Sequence, residues 1–237
     1  MRADSLFILT GAGISAESGL GTFRDRGGIW SRFDPMRLAT PEAFAAEPVL
    51  VHEFYNLRRR NAREARPNPA HAALARLEAG LSQAGGRLFL CTQNVDDLHE
   101  RAGSRAVVHM HGELAKARCL SCEAVHPWED DLSVDTPCPA CGRSGGMRPD
   151  VVWFGEMPHH LDAIDAALAA ADRFVAIGTS GAVYPAAGYV AQARQRGIPT
   201  LALNLEAADN AGLFEATRLG PASVTVPAFV AALLDGR

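Results

Sequence analysis

Short apolar runs alternate with alanine-rich, helix-like segments along most of this chain. The runs cover residues 6–10, 87–92, 151–154, 173–179 and 200–205. A run of this length that is apolar throughout is typical of a strand buried on both faces, and helices between such strands favour parallel pairing. The pattern therefore predicts an α/β fold with a doubly wound parallel sheet.

Two stretches do not follow this alternation. Residues 33–86 have the pattern of consecutive helices, with candidate N-terminal caps at Thr40 and Asn68, each followed by a proline. Residues 114–149 contain four cysteines and many Pro, Gly, Ser and Asp residues. We predict that both stretches are insertions that together form a smaller domain. The larger domain is then expected to comprise residues 1–32, 87–113 and 150–237.

The composition of the chain limits the classes of binding partner that we expect. The 237-residue chain has a formal net charge of -4, so it has no overall positive field to attract nucleic acid or an anionic membrane, and we predict neither as a partner. The first apolar run is too short and too early for a signal peptide, and no apolar stretch approaches the length of a membrane span. The expected location is cytoplasmic.

Four of the five cysteines form two CxxC pairs, Cys119 with Cys122 and Cys138 with Cys141, with fifteen residues between the pairs. Each CxxC turn can direct two sulfurs at one centre, and two turns supply the four thiolates of a closed zinc site. The alternative, two disulfides, requires an oxidising compartment. We predict one structural zinc ion with no open position for catalysis.

The sequence TGAGISAESGLGTFRD, residues 10–25, directly follows the first predicted strand. Its glycines let the backbone approach a ligand closely, and a helix starting near Ser15 would direct free N–H groups at a phosphate. The spacing of the glycines is not that of the GxGxxG dinucleotide-binding motif. The alternative is therefore a glycine-rich turn that serves packing alone and binds no ligand.

Polar groups also follow three later predicted strands. At the carboxyl edge of an open α/β sheet such groups bind ligands, although helix capping or a plain strand-to-helix turn would also explain them. The groups are Gln93, Asn94 and Asp96 after the second run, Gly178, Thr179 and Ser180 after the fourth, and Asn204 and Glu206 after the fifth.

Two histidines alternate with apolar residues in VVHMHGEL, residues 107–114. A period of two places His109 and His111 on the same side of an extended segment. A histidine in a cleft is the usual general base near neutral pH, and a structural role is the alternative for each ring.

Taken together, the motifs GAGISAESG, TFR, TQNVDDLHERAG, HGEL, the CxxC pairs, VVWFGE, IGTS and NLE occur in one order that resembles the sirtuin family of NAD-dependent protein lysine deacylases. The resemblance covers essentially the whole chain. It implies a Rossmann-like domain, a smaller domain made of a zinc module (114–149) and a helical module (33–86), and an NAD-binding cleft between the two domains. It also implies transfer of the acyl group from lysine to ADP-ribose with release of nicotinamide.

The resemblance assigns roles to individual positions. His111 aligns with the catalytic base, and His109 is expected to be structural. The segment 151–156 aligns with the strand that pairs with the substrate backbone, which makes Val152, Phe154, Gly155 and Glu156 substrate-binding residues. The residues implied for NAD binding are Gly11, Ala12, Gly13, Ile14, Ser15, Glu17, Ser18, Thr22, Phe23, Arg24, Gln93, Asn94, Val95, Asp96, Gly178, Thr179, Ser180, Asn204, Leu205, Glu206 and Ala222.

Two positions depart from the family pattern. Gly21 stands where the cofactor loop usually has a proline, and Ala182 stands where a larger residue is common. Neither change removes a reactive group, so we expect effects on loop dynamics and affinity and not on the chemistry.

Residues 54–66, FYNLRRRNAREAR, contain five arginines. At helical spacing Arg58 falls within an apolar stripe one turn after Tyr55, where a guanidinium suits a carboxylate. The pair resembles the YxxR signature of class III sirtuins, which accept succinyl and malonyl lysine, and Ala39 matches the small residue of that acyl pocket. The alternative is that Arg58 pairs with Glu53 or Glu64. The other four arginines are expected on a solvated face.

These observations predict a class III sirtuin that removes succinyl, malonyl and acetyl groups from protein lysines, with NAD and one zinc ion as cofactors. The alternatives are a mono-ADP-ribosyltransferase on the same scaffold and an NAD-binding sensor without turnover.

Overall fold

A computed structural model describes residues 5–21 and 38–236. Its strands are β1 (Ser5–Thr10), β2 (Arg87–Thr92), β3 (Val107–His109), β4 (Gly112–Cys119), β5 (Val125–Pro127), β6 (Met147–Val151), β7 (Arg173–Ile177), β8 (Thr200–Asn204) and β9 (Ala216–Leu219). Its α-helices are α1 (Pro41–Ala46), α2 (Pro48–Glu64), α3 (Pro69–Gln83), α4 (Leu98–Arg101), α5 (Leu161–Ala169), α6 (Tyr189–Gln195) and α7 (Ala222–Asp235).

Six of the strands form one sheet in the order β3-β2-β1-β7-β8-β9, and every neighbouring pair is parallel. Successive residues of a strand point to opposite faces, so Ile8 packs with α3 and α7 on one side and Phe7 packs with α5 and α6 on the other. Both faces are apolar because both are covered by helices. The predicted doubly wound α/β fold is confirmed.

The predicted strand at residues 151–154 does not belong to this sheet. Only Val151 is in a strand, at the end of β6, and β6 pairs antiparallel with β4 in a second sheet ordered β5-β4-β6. The apolar character of the run has another cause, since Trp153 is buried against Phe44 and Tyr55 in a separate core. A short apolar run does not reveal which sheet buries it.

The two predicted helix starts are confirmed. Thr40 caps α1, because its Oγ1 accepts a hydrogen bond from Ala43 N at 3.1 Å. Asn68 caps α3 in the same way, accepting from Ala70 N at 2.9 Å. Each cap is followed by a proline at the first helical position, whose missing N–H costs nothing there.

The division into two domains stays a prediction, and the packing of two elements does not follow its predicted bounds. Leu74, Leu77 and Leu81 of α3 lie in the same core as β1 and β2, so α3 covers the large sheet although it precedes residue 86. β6 crosses the expected bound at residue 149. Helix α2 contacts the cysteine-containing segment through Asn56, whose side chain bonds both main-chain groups of Leu132.

The strand order of the large sheet indicates which edge is expected to bind ligands. β1 lies between β2 and β7, so the chain leaves β1 at the point where the strand order reverses, which is where open α/β sheets bind ligands. The helix predicted near Ser15 is wrong: two single 3-10 turns, Ala12–Ile14 and Ala16–Ser18, follow β1 instead. Among the described helices, none has both the length and the apolar character needed to cross a bilayer.

Candidate active site

The glycine-rich loop after β1 packs directly on the loop after β7. Gly11 N donates to Ile177 O at 3.0 Å, and Gly13 N donates to Gly178 O at 2.9 Å. A Cβ on Gly13 would lie 2.7 Å from the Cα of Gly178, and one on Gly11 would lie 2.8 Å from Gly178 O. These glycines therefore allow two main-chain segments, the loops after β1 and β7, to touch at the edge of the sheet. The contact forms a narrow backbone cradle.

Ser15 joins this loop to the loop after β2. Its buried hydroxyl donates to Asp96 Oδ2 at 3.2 Å and accepts from Asn94 Nδ2 at 3.1 Å. His71 Nε2 lies 3.4 Å from the same oxygen, and His71 Nδ1 accepts from Asn68 N, so its Nε2 carries the hydrogen. Burial lowers the pKa of His71 to about 4, which keeps the ring neutral. The structure thus brings three predicted cofactor residues together.

Asp96 is a buried carboxyl at the centre of this cluster. Burial raises its pKa, while hydrogen bonds from the Leu98 N–H and the Ser15 hydroxyl and the nearby charge of His109 favour the ionised form. Its Oδ1 accepts from Leu98 N, the first residue of α4, at 3.2 Å, although the N-cap position of α4 is held by Asp97. When Asp96 is ionised, its carboxylate can accept hydrogen bonds from an amide or a hydroxyl of a ligand.

His111 lies beyond β3 and is held by the same loop. Its Nδ1 is 3.1 Å from Gln93 O. A carbonyl oxygen only accepts, so Nδ1 carries the hydrogen and Nε2 is left with its lone pair. Burial lowers the pKa of His111 below the ordinary 6.5, so the ring is neutral at physiological pH. His111 therefore has the state that a general base requires.

His109 contacts the adjacent carbonyl of that loop. Its Nδ1 is 3.1 Å from Asn94 O, and its Nε2 is 2.7 Å from Glu100 Oε1. The two histidines thus lie on one side of the extended segment, as their alternation predicts.

Several other predicted cofactor residues follow β7 and β8. Asn204 holds Thr179 by both main-chain groups, with its Oδ1 3.0 Å from Thr179 N and its Nδ2 3.2 Å from Thr179 O. Glu17 bonds both the main-chain N and the hydroxyl of Ser223, and so fixes the start of α7 beside Ala222. Leu205 and Glu206 are exposed after β8. Thr22, Phe23 and Arg24 lie outside the described residues.

Tyr55 and Arg58 lie together on one turn of α2. The guanidinium of Arg58 is 5.8 Å from the centre of the Tyr55 ring and 5.7 Å from that of Phe54. The charged neighbours that act on the pKa of Arg58 within the described residues are Tyr55 and Asp96, after the larger effect of burial. The expected alternatives, Glu53 and Glu64, are both exposed. Arg58 therefore lies where the charge of Asp96, a predicted cofactor residue, acts on it.

The Tyr55 hydroxyl is oriented by Trp153, a residue that sequence reasoning did not select. Trp153 Nε1 donates to Tyr55 Oη at 2.9 Å, and burial raises the pKa of Tyr55. The phenol therefore keeps its proton at neutral pH and can donate it to a further acceptor. Ala39 is buried in the same core as Tyr55.

The prediction that Arg59 lies on a solvated face is wrong. Arg59 is 2% exposed, its Nε donates to Leu114 O at 2.8 Å, and its Nη1 donates to Asn56 Oδ1 at 2.9 Å. By contrast Arg60, Arg63 and Arg66 are exposed, as expected. Arg59 follows Arg58 directly, and burial of Arg59 beside the partly buried Arg58 shows that the packed face of α2 is wider than its apolar residues indicate.

The segment after β6 is fixed to the site by main-chain bonds. Val152 N donates to His111 O and Phe154 N donates to Ala39 O, both at 2.9 Å. The Glu156 carboxylate accepts from Arg148 Nη1 at 2.6 Å and from Trp153 N at 2.8 Å. Glu156 thus holds the turn that contains Gly155, whereas the Phe154 side chain is exposed.

The four predicted zinc ligands come together at one point. The Sγ atoms of Cys119, Cys122, Cys138 and Cys141 all lie within 4.8 Å of one another. The Cys119–Cys141 and Cys122–Cys138 Sγ separations are 3.8 Å and 3.7 Å, as expected for a tetrahedron whose Zn–S bonds are about 2.3 Å. All four thiols are free of disulfides. They are positioned to bind one zinc ion, with no position left for a substrate.

Comparison with known proteins assigns the family. A model of the Sir2 family matches residues 11–185, which is more than half of the chain and includes the loops after β1, β2 and β7. The chain belongs to the Sir2 family. A Sir2 relative from Caulobacter vibrioides, named NAD-dependent protein deacylase, is 61% identical over 229 residues, covering 97% of this chain and 96% of the relative. A Salmonella typhimurium protein of the same name is 50% identical over 238 residues, covering 100% and 86%.

Solved Sir2 structures have the same fold. A Sir2 homologue mutant in complex with ADP-ribose is 39% identical and superposes with a TM-score of 0.89, covering 98% of this chain and 92% of that one. A Sir2 mutant solved with a deacetylated p53 peptide and 3'-O-acetyl ADP-ribose is 28% identical, with a TM-score of 0.79 and coverage of 99% and 94%. In this chain the glycine cradle and the Ser15, Asn94 and Asp96 cluster fit a dinucleotide.

Proposed function

We propose that the protein is an NAD-dependent protein-lysine deacylase that removes succinyl, malonyl and acetyl groups. The products are free lysine, nicotinamide and 2'-O-acyl-ADP-ribose. One observation carries the proposal: His111, with Nδ1 bound to Gln93 O and Nε2 available, lies next to the hydrogen-bonded cluster of Ser15, Asn94 and Asp96. A base beside a set of polar groups suited to a ribose and an amide is what this transfer requires.

The protein's own residues act by binding and orientation. NAD, when bound, supplies a ribose carbon whose nicotinamide substituent is a good leaving group. Gly11, Gly13 and Gly178 provide close main-chain approach, and Asn94 and Asp96 supply hydrogen bonds that fix the ribose and the nicotinamide amide. His111 accepts a proton from a ribose hydroxyl at its free Nε2. The main chain around Val152 and Phe154 holds the acyl-lysine segment beside His111.

The acyl preference rests on Tyr55 and Arg58. The Tyr55 Oη already accepts from Trp153, so the proton of its hydroxyl is directed elsewhere. The Arg58 guanidinium lies beside the Tyr55 ring in a partly buried position. There its positive charge would stabilise the negative charge of a carboxylate. A phenol donor and a guanidinium on one turn suit a terminal carboxylate such as that of succinyl-lysine. An acetyl group offers no anion to this pair.

The cysteine chemistry supports a cytoplasmic location. Four thiols arranged for zinc are stable in a reducing compartment and would be oxidised in most others. We propose that location together with the activity, and acylated protein lysines as the partner.

The acyl preference is tested by comparing turnover on succinyl-lysine and acetyl-lysine peptides. Loss of a charge-assisted, bidentate contact costs about 1.5–3 kcal/mol, so Arg58→Met is expected to lower desuccinylation by about 10- to 100-fold in kcat/KM. Deacetylation should change less than about threefold. Tyr55→Phe should show the same selectivity with a smaller effect. Arg63→Met is the control, because Arg63 is exposed on the same helix. Equal losses on both peptides would remove the carboxylate-binding role.

A further inference from the structure

His109 connects three elements around the site: β3, the loop after β2, and α4. It is the last residue of β3, its Nδ1 contacts Asn94 O in the loop after β2, and its Nε2 contacts Glu100 in α4. The histidine side chain is 6% exposed, whereas that of Glu100 is 41% exposed. The family resemblance gives this ring only a structural role, and the alternation with His111 does not explain its carboxylate partner.

The hydrogen bonds of His109 require a charged ring. Asn94 O is a carbonyl and Glu100 Oε1 belongs to a carboxylate, so both partners are acceptors. Both ring nitrogens must therefore carry hydrogen, which makes the ring an imidazolium. His109 and Glu100 thus form an ion pair with one buried member. Such pairs depend on both partners, because removing one leaves an uncompensated charge.

The charge lies close to the carboxyl group of the cofactor cluster. His109 acts on Asp96 to lower its pKa, against the larger effect of burial. The titratable groups that face His109 are Glu100 and Glu113, which favour its charge, and Asp96 and His99 on the loop and on α4. Lys116 in turn acts on Glu100. The imidazolium therefore lies between a surface carboxylate and the buried Asp96.

We propose that the His109–Glu100 ion pair is a positioning element for NAD binding: it fixes the main chain at Asn94 and places a positive charge near the Asp96 carboxyl group. This inference rests on the proposed function, in which Asn94 and Asp96 hold the nicotinamide riboside end of NAD. The pair acts through these two residues and contacts neither the acyl group nor the base His111. Its loss therefore weakens NAD binding and leaves the rate of the bound complex nearly unchanged.

The pair also gives NAD binding a dependence on pH. Glu100 and the Asn94 carbonyl raise the pKa of His109 above 6.5, although burial opposes them. A raised pKa means that the imidazolium persists to a higher pH than in an ordinary histidine and is lost as the pH rises through that raised value. NAD binding is thus strong on the acid side of this transition and weaker on the alkaline side.

The experiment measures the dissociation constant of NAD by calorimetry across neutral and alkaline pH, without acyl substrate. In Glu100→Gln the amide can still bond the ring, and the pKa of His109 falls because the charge of Glu100 no longer opposes the effect of burial. We expect a dissociation constant raised about three- to tenfold at neutral pH, since charge-assisted hydrogen bonds are roughly twice as strong as neutral ones. The variant should lack the alkaline weakening of the parent, so that the two converge at high pH.

Three further measurements separate the outcomes. Glu64→Gln, an exposed carboxylate on α2, is the control and should bind NAD as the parent does. With succinyl-lysine peptide, Glu100→Gln should raise KM for NAD while kcat stays within about twofold. His109→Asn should weaken NAD binding further, with folding checked by its melting temperature. If Glu100→Gln matches the parent at every pH, the inference is wrong; if the parent itself does not bind NAD, both the inference and the proposed function are wrong.

Discussion

Replacement of Asn56 should test how α2 is joined to the zinc-binding part of the chain. Asn56 is 7% exposed and lies on the face of α2 that meets Leu132. Its Nδ2 donates to Leu132 O at 2.8 Å, and its Oδ1 accepts from Leu132 N and from Arg59 Nη1, both at 2.9 Å. One amide thus satisfies both main-chain groups of a residue 76 positions away.

The expected magnitude follows from these three bonds. Asn56→Ala lowers the free energy of unfolding by about 1 kcal/mol for each lost hydrogen bond, and by more where a buried group of Leu132 is left without a partner. The better helix propensity of alanine returns about 0.6 kcal/mol. The free energy of unfolding should therefore fall by about 2–4 kcal/mol, which for a chain of this size lowers the melting temperature by about 5–15 °C.

The matched control is Asn61→Ala, the same substitution five positions further along α2, where the side chain is only partly buried. Its free energy of unfolding should change by less than about 0.5 kcal/mol, as at ordinary surface sites. The assay is thermal and urea unfolding of both variants with zinc bound. Melting temperatures of the two variants that differ by less than about 2 °C would show that the Asn56 bonds contribute little to stability.

Three other predictions follow from the site. Gly13→Ala should abolish NAD binding in calorimetry, because its Cβ would lie 2.7 Å from Gly178 Cα; Gly212→Ala, which meets no atom within 4 Å, should bind normally. Cys138→Ser should lose zinc in metal analysis and lower the melting temperature, since four thiolates form one closed site, whereas Cys91→Ser should keep its zinc. Because burial lowers the pKa of His111 below 6.5, the neutral base is lost only as pH falls through that lower value, so kcat should reach half of its maximum at a pH below 6.5; a midpoint above pH 6.5 contradicts this.

The sequence was sufficient for the sheet and for the clustering of reactive residues. The apolar run at residues 87–92 coincides with a strand whose last three residues are buried, as in a sheet that helices cover on both faces. Cys119 and Cys138 come together as their spacing requires. In these cases one local constraint determines the structure.

Other features depend on contacts that no local pattern records. The run at residues 151–154 is apolar because Trp153 packs under Tyr55, not because it is a parallel strand. Arg59 is buried because the Leu114 carbonyl and Asn56 receive its N–H groups. The partner of His109 is Glu100, nine residues earlier and beyond a turn. Each of these depends on which surfaces the tertiary fold brings together, and a single sequence does not specify that.

The most direct test of the account is the identity of the products. The protein is incubated with NAD and a succinyl-lysine peptide, and the mixture is analysed by mass spectrometry beside His111→Ala. The account predicts equal amounts of nicotinamide, free-lysine peptide and O-succinyl-ADP-ribose from the parent, and no O-succinyl-ADP-ribose from the variant. A peptide that keeps its succinyl group and gains ADP-ribose, or no NAD consumption at all, would contradict it.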